Sequence, residues 1–224
     1  MDRFADGRVA SGSGRFDPDM LIDLEDTFVN GVYSSVDCAT KLELKRLSSE
    51  EGVAPTCKAG CFSCCGQHIL TNISEAQALS HYIKREFSVK QIEDLRIRTK
   101  HWHEWDDIRP SQHQRAAAGK QIPFSAHQYC PMLVDGKCSA YSMRPVICRT
   151  HFVSSAPPAC RPYYDPDSIQ SDPVALKSVL TATYPYSIKI RDRIEQAGLN
   201  FCQSIMLLPH WLAIEMHWDF AILA

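Results

Sequence analysis

Apolar residues recur at steps of three and four along most of the chain, the spacing of an amphipathic α-helix. The first such segment begins at Asp17-Pro18, a typical N-cap and first helical residue, and ends before Gly52. Further helices are predicted to begin at Ser74, to span Ser88 to about Asp107 and Ser142 to His151, and to run from Asp172 to about Gln196 with a break at Pro185. The apolar tail from Phe201 to Ala224 is interpreted as a core helix.

Only one strong turn signal interrupts this helical pattern. Asp135-Gly136 lies between two short apolar stretches, which predicts a small β-hairpin. Strands and helices do not alternate along the chain. We therefore predict a mainly α, compact helical domain over residues 17–224 with one short β-hairpin, preceded by a disordered tail over residues 1–16, which is rich in Gly, Ser, Asp and Arg.

Length and charge narrow the classes of function. A chain of 224 residues can bury a full core without disulfides. Its formal net charge of -2 gives no general attraction to nucleic acid or to anionic membranes. The sequence has no secretory signal and no apolar run near the roughly 18 residues of a spanning helix. We expect a cytoplasmic protein that binds neither nucleic acid nor membrane.

Candidate chemistry is concentrated in the cysteines. Four of the ten lie within nine residues, at Cys57, Cys61, Cys64 and Cys65, and a second block follows at Cys130, Cys138, Cys148 and Cys160. In a reducing compartment, clustered thiols are more often metal ligands or catalytic groups than disulfides. Thiolates are the preferred ligands of zinc, Cu(I) and iron–sulfur clusters. The isolated Cys38 and Cys202 are interpreted instead as small buried apolar residues.

The first block can present several ligands together. On a helical wheel, its four cysteines and His68 fall within one arc, so either one helical face or a loop that leads into a helix can present them. The spacing of Cys57, Cys61 and Cys64 is that of the radical S-adenosylmethionine enzymes, which hold a [4Fe–4S] cluster. Those enzymes usually have an aromatic residue before the third cysteine, whereas this chain has Ser63.

The two blocks together resemble the YkgJ-like CxxCxxCC cysteine-cluster family. The second block contains the family's pattern in order, as Cys130-Pro131-Met-Leu133-Val-Asp-Gly136-Lys-Cys138-Ser-Ala-Tyr141-Ser-Met-Arg144-Pro145-Val-Ile-Cys148-Arg149, and the similarity covers roughly residues 55–160. The resemblance implies a bacterial zinc- or iron-binding protein of the cell interior. It also implies a distant relation to flagellin lysine N-methylase, although the chain has no Gly-rich fingerprint for S-adenosylmethionine.

The expected metal ligands are the eight clustered cysteines, with His68 and His151 in reserve. Zinc usually takes two separated ligand pairs, whereas an iron–sulfur cluster often takes three close thiolates and one remote thiolate. The spacing of the eight cysteines fits either of these ligand patterns, and eight thiols can also form two sites. Arg149, beside Cys148, can donate hydrogen bonds to sulfur or to a substrate carboxylate, and is the predicted cofactor-binding residue.

Two classes of function remain open. The chain can be a metal-dependent enzyme that modifies a protein or peptide, with an iron centre such as a [4Fe–4S] cluster, or zinc, and S-adenosylmethionine as a further cofactor. Alternatively, it is a non-catalytic carrier, sensor or structural module for zinc or iron. Sequence alone does not decide whether the chain is an enzyme.

Overall fold

The structure, a computed structural model, describes residues 26–58, 60–117, 128–162, 165–169 and 171–220. Within these ranges the chain forms six α-helices: α1 (Asp26–Arg46), α2 (Ile73–Glu86), α3 (Val89–Ala117), α4 (Val146–Thr150), α5 (Lys177–Gln196) and α6 (Leu208–Glu215). The mainly α prediction is confirmed. The predicted tail over 1–16 and the predicted helix start at Asp17 lie outside the described residues, and the assignment of a single domain stays a prediction.

The core lies where α1 packs against α2, α5 and α6. Val32 and Val36 of α1 meet Ile190 of α5 and the fully buried Trp211 of α6 in one cluster. A second cluster on the neighbouring side joins α1 and α2 to α3, α6 and the segment around Met132 and Met143. Loss of a large buried side chain such as Trp211 costs about 3–5 kcal/mol. These clusters form a rigid base beneath the cysteine blocks.

Two short antiparallel strand pairs complete the described fold. Strands β2 (Leu133–Val134) and β3 (Lys137–Cys138) form the predicted hairpin. Asp135 and Gly136 both have positive φ, 49° and 73°, which is the requirement of a type I′ turn and the reason for the Asp-Gly pair. The other pair joins β1 (Leu70–Thr71) to β4 (Met206–Leu207), which no local turn signal predicts because the strands are far apart in sequence.

Helix boundaries differ from the prediction at two prolines. Helix α5 passes through Pro185 without a break, because Val179, Thr183 and Ile190 are buried on both sides of the proline and packing holds the helix together. It also begins later than Asp172, since the residues before it pair with the segment around Val153. Helix α3 likewise continues past Pro110, beyond its predicted end at about Asp107. Every helix in the described ranges is too short or too polar to cross a bilayer.

Candidate metal centre

The first cysteine block is a loop that leads into a single 3-10 turn at Ser63–Gly66. The amide of Cys61 donates to the carbonyl of Lys58 at 2.9 Å, and the amide of Cys65 donates to the carbonyl of Phe62 at 2.8 Å. These local bonds turn the chain tightly between successive cysteines. Of the two arrangements allowed by the spacing, the structure adopts the loop rather than one helical face.

Backbone contacts bring the second block to the first. The amide of Cys130 donates to the carbonyl of Cys65 at 2.8 Å. The 3-10 turn Pro157–Cys160 packs against Ser63–Gly66. A Cβ atom on Gly66 would lie 2.5 Å from the Pro162 side chain, so only glycine permits this close approach. Both blocks therefore border the same space.

A cavity of about 660 Å³ occupies that space. Six of the eight clustered cysteines line it, three from each block: Cys61, Cys64, Cys65, Cys130, Cys138 and Cys148. Cys57 and Cys160 are not among its lining residues. The hairpin contributes Cys138 and helix α4 contributes Cys148, so the cavity wall is assembled from segments distant in sequence.

Burial makes most of these thiols hard to ionise. It raises the pKa of Cys130 to about 12, with a smaller effect from the neighbouring Cys138. It also raises the pKa of Cys148, to which Cys130 and Cys64 contribute. A bound cation reverses this preference, because a coordinating thiol is deprotonated by the metal. A metal ion bound to these thiols would therefore lower their pKa and make the thiolate form favourable.

The same electrostatic interactions connect the thiols through Cys64, which affects the pKa of Cys57 and Cys160 as well as that of Cys130 and Cys148. The pKa of Cys160 is raised to about 11 by burial and then by Cys64, Cys57 and Cys61, so Cys160 lies within electrostatic range of the first block. The pKa of Cys65 is raised by a hydrogen bond with Cys64, by burial, and by charges on Cys130 and Cys148. That hydrogen bond lowers the pKa of Cys64, against the opposing effect of burial.

All ten cysteines are free thiols. Among the described residues, no three Cys, His, Asp or Glu side chains are gathered closely enough to hold a metal ion as they stand. The donor set nevertheless fits zinc or iron, because buried thiols of both blocks border one cavity.

Cys38 and Cys202 are exposed. The interpretation of these two as buried residues is wrong, because each lies on the outer surface of its element.

Arg149 is buried away from the cavity lining, with 3% of its surface exposed. Its guanidinium donates to Asp37 Oδ2 at 2.6 Å and to the carbonyls of Arg144, at 2.8 Å, and Ser142. It also stacks on the Tyr33 ring at 4.0 Å. These contacts fix helix α4, which carries Cys148. The assignment of Arg149 as a cofactor-binding residue stays a prediction.

A buried carboxylate that sequence reasoning missed supports the same helix. Glu75, 4% exposed, accepts hydrogen bonds from the Val146 amide at 2.7 Å, Asn72 Nδ2 at 2.7 Å, Thr71 Oγ1 at 3.1 Å and the Tyr33 hydroxyl at 3.2 Å. Burial raises its pKa and these donors oppose that effect. Its position three residues after the N-cap Asn72 is the only sequence signal of its role.

Both reserve histidines line the cavity. His68 Nε2 lies 3.7 Å from Asp106 Oδ1, and Nε2 of His210 lies 3.6 Å from the other oxygen of that carboxylate. Burial lowers the pKa of His151, which keeps its imidazole neutral. Nε2 of His151 is buried and has no hydrogen-bond partner in the structure.

Comparison with known proteins agrees with this geometry. Residues 56–161 match the family model CxxCxxCC, described as "Putative zinc- or iron-chelating domain". Searches of curated proteins and of solved structures return no significant match. The relation to flagellin lysine N-methylase finds no support in these comparisons. The matched segment begins just before Cys57 and ends just after Cys160, so it contains all eight clustered cysteines and the hairpin. The similarity to zinc- or iron-chelating domains thus covers the segment that carries both cysteine blocks.

Proposed function

We propose that this protein binds iron or zinc through thiolates drawn from both cysteine blocks. The observation that carries the proposal is the single cavity lined by three cysteines of the first block and three of the second. A reducing cytoplasm suits ten free thiols. Metal binding draws the sulfurs to distances of about 2.3 Å from the ion.

The ligand set comprises the eight clustered cysteines. Cys64 interacts electrostatically with cysteines of both blocks, and it shares a hydrogen bond with Cys65. Four thiolates are the usual number for a structural zinc ion or an iron–sulfur cluster. Eight thiols exceed that number, so the ligand set allows either one centre or two.

The metal supplies cross-linking of the two blocks and, where a coordination position is open, Lewis-acid or redox chemistry. The chain's own residues hold the thiols in place. Arg149 and Glu75 fix helix α4, and the Cys130–Cys65 backbone bond fixes the hairpin segment to the first block. An enzyme that modifies a protein or peptide and a non-catalytic carrier or sensor both use this arrangement, and the cavity volume of about 660 Å³ favours the enzyme.

Metal analysis and an anaerobic spectrum test the proposal. The protein is purified without oxygen or chelators, and iron and zinc are measured per chain alongside the visible absorption. We expect at least one tightly held metal centre per chain. Sulfur-to-iron charge-transfer bands identify an iron–sulfur cluster, and a colourless protein with stoichiometric zinc identifies a zinc site. Folded protein that holds neither metal, even after anaerobic reconstitution with iron or zinc, would contradict the proposal.

A further inference from the structure

The cavity is much larger than a metal centre requires. A zinc ion with sulfur ligands at about 2.3 Å occupies a sphere of roughly 50 Å³. The cavity has a volume of about 660 Å³, within the range of roughly 300–1,000 Å³ that is usual for small-molecule sites. Even two such centres leave most of the space for something else.

The remaining wall is mostly apolar. Away from the thiols, the cavity is lined by large hydrophobic side chains from the first block, strand β1, helix α2, the hairpin and helix α6: Phe62, Ile69, Leu79, Met132, Leu133 and Leu208. A hydrocarbon body buried against such a wall gains about 25 cal/mol for each Å² removed from water. The space therefore suits an organic group rather than a hydrated ion.

Arg144, His151 and Lys137 add polar side chains to the same wall. The Arg144 guanidinium stacks on the Tyr141 ring at 3.9 Å, and its Nε is buried with no hydrogen-bond partner. His151 Nε2 is likewise buried and has no hydrogen-bond partner among the described residues. Lys137 of the hairpin also lines the cavity. A buried donor left unpaired is destabilising, and more so when it is charged. An oxyanion in the cavity would satisfy these donors.

The thiols are the other candidate partners of Arg144. Its positive charge lowers the pKa of Cys64 and opposes the raised pKa of Cys138, so the guanidinium lies within electrostatic range of both sulfurs. The guanidinium has five N–H donors in a rigid fork, so the thiolates do not occupy all of them. Arg144 is therefore available to bind another anion on the apolar side of the cavity.

We propose that the cavity binds an amphipathic organic carboxylate beside the metal centre. Its carboxylate is held by Arg144 with His151, and its hydrocarbon body lies along Met132, Leu133 and Leu208. The inference rests on the proposed function, because the metal is what occupies the thiol side of the cavity. A single negative charge matches the few donors and the apolar wall better than a phosphate does.

Calorimetric titration of the metal-loaded protein tests this site. Hexanoate, octanoate and dodecanoate are the probes, and octan-1-ol is the uncharged control. We expect octanoate to bind more tightly than octan-1-ol. Arg144→Met should raise the octanoate Kd at least about tenfold, since a hydrogen bond to a charged group is worth about 1.5–3 kcal/mol. Arg144→Lys should recover part of this loss. Arg96→Met, which removes an exposed arginine of helix α3, should leave the Kd unchanged.

Metal content is measured on every sample, so the two proposals fail separately. Absence of binding by all three carboxylates would overturn the inference, as would equal binding to Arg144→Met. Parallel loss of metal and octanoate binding in Arg144→Met would also overturn it, because Arg144 would then act only on the thiolates. If Arg144→Met does not fold, the wild-type protein provides the test through the NMR signal of the Met132 methyl group. A change in its chemical shift when octanoate is added supports the site, and an unchanged shift overturns it. A chain that holds no metal but binds octanoate through Arg144 contradicts only the proposed function.

Discussion

The amide of Cys130 donates a 2.8 Å hydrogen bond to the carbonyl of Cys65, so the two cysteine blocks are joined through their backbones as well as through the cavity they share. This bond holds the start of the hairpin segment against the 3-10 turn of the first block. The Phe62 ring also meets the Tyr129 ring edge to face, with 5.9 Å between the ring centroids. A metal bound between the segments would add a stronger connection, and its binding free energy would become local folding free energy.

Removal of the metal should therefore loosen the two blocks selectively. We expect hydrogen exchange to accelerate over residues 52–66 and 130–138 after anaerobic chelation, because their opening free energy includes the metal. Helices α1 and α5, which share a buried core, should exchange as before. Exchange measured by mass spectrometry on holo and chelated protein checks this. Uniform acceleration across the chain would indicate that the metal stabilises the whole fold instead.

Glu75→Gln should destabilise the protein by about 2 kcal/mol or more. Four donors converge on the Glu75 carboxylate, and an amide group can accept from only one pair of them while its NH₂ opposes the other pair. Urea unfolding at neutral pH measures the change. Glu93→Gln, in an exposed ion pair with Arg96, is the control and should change the free energy of unfolding little. Equal effects of the two substitutions would contradict this role of Glu75.

Glu215 should make stability depend on pH. Burial raises its pKa, with opposition from the nearby charges of Lys84 and His81 and a hydrogen bond from Ser80. The folded state thus binds this proton more tightly than the unfolded state, whose glutamate has a pKa of about 4.3. The contribution to stability is full below that value and is lost as pH rises through the folded-state pKa.

We therefore expect Glu215→Gln to be more stable than the wild type at neutral pH, with the difference shrinking as pH falls toward 4. Thermal and urea unfolding at several pH values provide the measurement. Glu195→Gln, an exposed position on helix α5, should follow the wild type throughout. A Glu215→Gln variant less stable than the wild type at neutral pH would show that the carboxylate is stabilising there.

Local signals in the sequence predict the helices and the hairpin, because apolar periodicity and the Asp135-Gly136 pair act over a few residues. The pairing of Leu70 with Leu207 could not be predicted, since it depends on packing between distant segments. At Pro185 the local signal is misleading, because a proline predicts a break whereas tertiary packing keeps helix α5 continuous. The two cysteine blocks were predictable as a pair, but the burial of Glu75 and Arg149, which hold helix α4 in place, is a property of the folded chain alone.

Metal content of four cysteine variants tests the central claim most directly. Cys64→Ser and Cys148→Ser each remove one thiol of the cavity, one from each block, whereas Cys38→Ser and Cys202→Ser remove exposed thiols outside it. Metal per chain is measured after identical anaerobic purification and desalting. We predict that the first two variants lose metal and that the last two retain the wild-type amount. Full retention in Cys64→Ser and Cys148→Ser, or equal loss in all four variants, would contradict a metal centre built from both blocks.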